Sequence, residues 1–194
     1  MTSTDSRTAV PAVMTSSMST FATPSRTSTM VTEPSGSTVY DALGSPSFAV
    51  KASRFLTHVR RLREPRDSVD FLLEGASRLG VHLGPILIQL PPDMEVEVER
   101  LDETLAAFPP TIRIAVEPRH RSWFVDPVRE VLSRHGASLC LADRRGLLTP
   151  EWASAGWGYV RFHSGTALPP SCYREVELQR WAARSLGDRM QRLD

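Results

Sequence analysis

Residues 112–124 read Ile-Arg-Ile-Ala-Val-Glu-Pro-Arg-His-Arg-Ser-Trp-Phe. Ile112, Ile114 and Val116 alternate with Arg113, Ala115 and Glu117, the period of two expected of a strand. Pro118 has no N–H for a ladder and stops the strand after Glu117. An apolar strand thus ends in a carboxylate and releases Arg119, His120 and Trp123 into the following loop.

The same texture recurs on both sides. Short strands are predicted at Ser47–Lys51, Gly84–Leu90, Ser138–Asp143 and Tyr159–His163. Helical spacing separates them: Val69, Leu72, Leu73, Ala76 and Leu79, with Asp67 or Ser68 as cap and Gly80 as stop. Val98, Leu101, Leu105 and Phe108 mark a second helix, and Val128, Val131 and Leu132 a third. Leu178, Trp181, Ala182 and Leu186 mark the last. Alternating strands and helices of crossover length indicate a parallel α/β domain. In such domains ligands bind at the carboxyl edge of the strands. Here that edge carries Lys51, Gln89, Glu117, Asp143, Arg161 and His163.

Ala49, Leu87, Ala115, Leu141 and Tyr159 are read on the face of the polar ends. Ile86, Ile88, Ile114, Val116, Val160 and Phe162 are read on the opposite, bulkier face. A small inner face and a bulky outer one suit a barrel wall. A closed eight-stranded barrel typically needs about 250 residues, so 194 residues with five readable strands predict an incomplete one.

Composition narrows the class. A net charge of +1 gives no support to a dedicated nucleic-acid partner, and no apolar run reaches the roughly 18 residues of a membrane span. Two cysteines, Cys140 and Cys172, make no disulfide framework and have no metal-ligand spacing. A cytoplasmic protein without membrane contact is the expectation. Residues 1–46 are mostly Ser, Thr, Ala, Pro and Met without apolar periodicity, and are expected to be a disordered or non-native leader to residues 47–194. Lys51 is the sole lysine in a chain otherwise rich in arginine. An ammonium can lose its proton on burial, whereas a guanidinium cannot.

Five blocks occur in order: Phe48–Lys51 with Thr57 and His58, Gly84–Pro92, Ala115–His120 with Ser122 and Trp123, Ala142 with Asp143, and Tyr159–His163. Together they resemble the YecE-like family, domain of unknown function 72, over about residues 47–187. The resemblance implies a TIM-barrel-like fold and no established activity. Family members usually begin with a Gly-Trp strand and an Asn-and-aromatic strand, and end on an aromatic strand closing on paired asparagines. None of these is read here, so the chain is expected to be a member truncated at both ends, with about five of eight strands. Its exposed sheet edges would favour self-association.

The expected site gathers Lys51, Glu117, His120, Asp143 and His163 as catalytic groups. Gln89, Arg119, Trp123, Arg161 and Tyr173 are expected to hold the substrate. Glu117, His120, Asp143 and His163 are also candidate ligands for a divalent metal, which would suit a hydrolase acting on phosphoesters, in a small molecule or in nucleic acid. The alternatives are a non-catalytic ligand-binding or interaction module and an inactive truncated fragment. His58, His82 and His135 are read as loop or surface residues, and Trp181 as core.

Overall fold

The computed structural model describes residues 13–15, 37–40, 46–143, 149–163 and 173–190. Seven strands form one sheet: β1 (Val13–Thr15), β2 (Ser37–Tyr40), β3 (Pro46–Lys51), β4 (Leu83–Gln89), β5 (Ile114–Glu117), β6 (Ser138–Ala142) and β7 (Tyr159–Phe162). Their spatial order is β1-β7-β6-β5-β4-β3-β2. The five strands β3 to β7 are mutually parallel in sequence order. Together with their helices they make a curled, incomplete TIM-barrel-like wall. β1 extends it in parallel beside β7, and β2 runs antiparallel to β3. These two short strands lie in the stretch expected to be a leader; most of that stretch is outside the described residues.

Helices α1 (Pro65–Ser77), α2 (Val98–Ala106), α3 (Asp126–Arg134) and α4 (Glu175–Met190) fall where the apolar spacing predicts them. α1 starts two residues before Asp67, because Pro65 occupies the first turn, where its missing N–H costs nothing. α3 ends at Arg134 and is followed after the His135 cap by Gly136, whose φ of +60° is a left-handed conformation that a side chain would strain. Gly84 answers a different need: a Cβ there would lie 2.7 Å from Ser47 Oγ and 2.9 Å from the Phe48 carbonyl oxygen. A side chain at that position would push β4 away from β3.

The main core lies between the sheet and α1–α3. Ile86, Ile88, Ile114, Val116 and Leu139 pack there with Val69, Leu101, Leu105, Val128, Val131 and Leu132. A second cluster of Ala49, Leu87, Ala115, Cys140, Ala142 and Tyr159 occupies the other face. The predicted face assignment is corrected on β6, where Cys140 and Ala142 point inward in place of Leu141. Asp143 lies one residue past the end of β6, so its polarity does not set the strand's parity. No helix among the described residues is long and apolar enough to cross a membrane.

Candidate functional site

Register brings the polar residues together. Gln89 is paired with Glu117, Lys51 with Leu87 two residues before Gln89, and Arg161 with Ala142. Along a strand, residues two apart share a face, so Lys51, Gln89, Glu117 and Arg161 all project inward at one edge. A continuous hydrogen-bonded line follows. Lys51 Nζ donates to Gln89 Oε1 at 2.8 Å, and Gln89 Nε2 donates to Glu117 Oε2 at 2.9 Å. Arg161 Nη1 donates to that same carboxylate oxygen. On the other side, Glu117 Oε1 faces Arg119 Nε and His163 Nε2, each at 3.6 Å.

Glu117 is 0% exposed. Burial alone would raise its pKa, because a carboxylate leaving water loses several kcal/mol of solvation. The His163 imidazole, the Arg161 guanidinium and the Gln89 amide more than reverse this and hold the carboxyl at about 2. Glu117 is therefore a permanent anion. Lys51 moves the opposite way from an ordinary paired lysine. Burial, Arg161 and Arg119 lower its pKa, and Glu117 only partly opposes them.

An irregular turn positions His58, a residue close enough to Lys51 in sequence to reach the same rim and otherwise expected to be a loop residue. After β3 the chain makes a π-helical turn, Phe55–Val59, closed by a 2.8 Å bond from the Arg60 N–H to the Phe55 carbonyl. Ser53 braces its start by accepting from the Leu56 N–H. The turn holds His58 with Nδ1 2.8 Å from Thr57 Oγ1. Burial, then the Arg54 and Lys51 charges, lower the His58 pKa. Its spacing of seven residues from Lys51 was the available signal.

Other residues named from the sequence have contacts of their own. Trp123, expected to hold substrate, is 0% exposed and packs in the main core, with its indole N–H donating to the Met94 carbonyl at 2.8 Å. It has no face open for stacking. His120 caps the short helical turn Arg121–Trp123: its Nδ1 accepts from the Ser122 N–H at 3.3 Å and lies 2.8 Å from Ser122 Oγ. Asp143 accepts from the Tyr173 hydroxyl, a pair beside the strand edge. Trp181 stands edge-on to Phe162, with ring centroids 5.6 Å apart. His135 is not a free surface residue; its Nε2 lies 2.6 Å from Asp102 Oδ1 and ties α3 to α2.

The metal expectation does not fit this arrangement. Among the described residues no three His, Cys, Asp or Glu side chains form a ligand group. Glu117, the central candidate ligand, already faces two guanidiniums and an imidazole. A divalent cation beside it would be repelled by the same charges that keep it ionised.

A family model described as a protein of unknown function, DUF72, matches residues 45–191. The chain belongs to the DUF72 family. Its fold is similar to that of a DUF72 family protein from Thermotoga maritima, with TM-score 0.61 and 24% identity over 72% of this chain. The chain covers 60% of that protein's length. A DUF72 family protein from Enterococcus faecalis aligns with TM-score 0.45 and 19% identity, over 63% of this chain and 48% of its own. No curated protein matches the sequence.

Proposed function

We propose that this edge of the DUF72 sheet binds a small organic anion, a carboxylate or a phosphate ester. One observation carries the reading: Arg119 and Arg161 face the buried carboxylate of Glu117, and Lys51 joins the same line through Gln89. Guanidiniums suit carboxylate and phosphate because their planar fork matches two acceptor oxygens. Glu117 then serves as the counter-ion that keeps both cations in place, and Gln89 fixes its orientation.

Hydrolysis of a phosphoester is the narrower form of this reading. With its pKa at about 2, Glu117 is a poor proton acceptor at neutral pH. The proton would have to pass through an imidazole, His58 or His163, or through the Lys51 amine. Titration calorimetry with inorganic phosphate and with pyruvate tests the binding. The expected result is salt-dependent binding that weakens about tenfold or more in Arg119→Gln, the loss of one charge-assisted hydrogen bond. Absence of binding by a folded chain at low salt would remove the anion pocket. Binding without turnover of any phosphoester would leave a ligand-binding module.

A further inference from the structure

Lys51 is the one site group whose chemistry the anion pocket does not require, since an arginine would serve there as well. The chain uses arginine at every other basic position and lysine only here. The Lys51 side chain is half-buried at the end of β3, its Nζ held 2.8 Å from Gln89 Oε1. Gln89 is in turn fixed by Glu117. Through Gln89 and Glu117 the amine stands in one hydrogen-bonded line with the Arg161 guanidinium. Burial first, and then that charge, favour its neutral form, which has the lone pair that an ammonium lacks. Arginine at this position would lack both properties.

We propose that Lys51 captures a carbonyl compound as an imine, the carbonyl belonging to a small molecule whose anionic group is held by Arg119 and Arg161. This rests on the anion-pocket reading and names the substrate class of that pocket: a 2-oxo acid or a phosphorylated aldehyde or ketone. The steps balance without an external oxidant or reductant. The Nζ lone pair forms a C–N bond to the carbonyl carbon while the C=O π pair moves to oxygen. A proton passes from nitrogen to that oxygen, giving a carbinolamine. A second proton lets the hydroxyl leave as water, and the nitrogen lone pair closes the C=N bond. The first proton moves within the adduct and the second is taken up from solvent, so amine, carbonyl and one proton give iminium and water. The His58 imidazole, its pKa lowered by burial and by the Arg54 and Lys51 charges, can relay the second proton from solvent. The iminium that results can accept electrons from a bond alpha to the former carbonyl, the use enzymes make of such lysines.

Because the chain holds one lysine, reductive trapping has a clear readout. The full-length protein is incubated with pyruvate and cyanoborohydride near neutral pH, and the adduct is mapped by peptide mass spectrometry. The only other amine is the amino terminus, which serves as an internal reference. The expected result is an adduct on Lys51 formed at least about tenfold faster than in the urea-unfolded chain, given that an ordinary lysine is almost wholly protonated at this pH. Inorganic phosphate should compete, and propanal, a carbonyl without an anionic group, should react more slowly. Lys51→Arg should remove the adduct while keeping the fold, checked by its melting curve.

An adduct confined to the amino terminus, or a Lys51 rate equal to that of the unfolded chain, overturns the proposal. If calorimetry shows phosphate binding but trapping fails, the imine falls and the anion pocket stands. If trapping on Lys51 is fast but phosphate neither binds nor competes, the anion pocket falls and the anionic substrate class with it.

Discussion

The two faces of the sheet share their strands and differ in almost everything else. The helix-facing side buries branched residues such as Ile86, Ile88, Ile114 and Val116 against three helices, together with Trp123. The inner side uses Ala49, Ala115, Cys140 and Ala142, and among the described residues no helix contributes to its cluster. Lys51, Gln89, Glu117 and Arg161 lie at the carboxyl edge of this inner side. The outer side gains stability from apolar area, whereas the inner side spends several kcal/mol burying a carboxylate and recovers it through cations. One face stabilises the fold, and the other keeps charges close together that would disperse in water.

Substitutions on the two faces should separate these roles. The largest effect is expected for Trp123→Ala, which leaves a large hole in the outer core and costs about 4 kcal/mol by urea denaturation. Ligand affinity in the surviving folded fraction should be little changed. Glu117→Gln comes next, at about 3 kcal/mol, because it leaves Arg161 and Arg119 without their counter-ion. Its distinctive signature is opposite in sign on binding: phosphate should bind more tightly as stability falls. If stability and affinity fell together, Glu117 would belong to the ligand contacts rather than to the support of the cations.

Acid unfolding sharpens the same contrast. Glu117 titrates at about 2 in the folded chain, below its ordinary value of 4.5. The unfolded chain therefore takes up its proton first as pH falls. The stabilisation is complete above about pH 4.5 and is lost progressively down to about pH 2, amounting to about 3 kcal/mol. The Glu117→Gln variant should show a shallower acid limb over that window, and an unchanged limb would refute the assignment. The smallest effect is expected for Lys51→Met. The Lys51 pKa is depressed in the fold, so below it the protonated amine is held at a cost. In the native protein stability should rise with pH as the folded amine deprotonates ahead of the unfolded one. The variant should lose that rise, with a change within about 1 kcal/mol at pH 7.

The strand–helix alternation and the carboxyl-edge residues were readable because each depends on local periodicity. Ile114 and Val116 must face away from Ala115 and Glu117 whatever the rest of the chain does. Parity failed only at β6, where Asp143 sits beyond the strand and carries no information about its pleat. Trp123 and His120 were read as site residues because they follow Glu117 closely in the chain. Their roles depend on contacts with Met94 and Ser122 formed by loop packing, which spacing does not encode. His58 is held by a π-helical turn, an irregularity with no periodic signature.

Residues 112–124 thus established, from alternation and a terminal proline, that a buried strand delivers a carboxylate to a sheet edge. Whether that carboxylate would be a base, a metal ligand or a counter-ion depended on neighbours from other strands. Lys51, Gln89 and Arg161 are 66, 28 and 44 residues away along the chain from Glu117. Only the parallel register brings them together, and the charge they supply makes Glu117 a permanent anion. Side-chain polarity belongs to each residue, but the field that sets its protonation belongs to the fold.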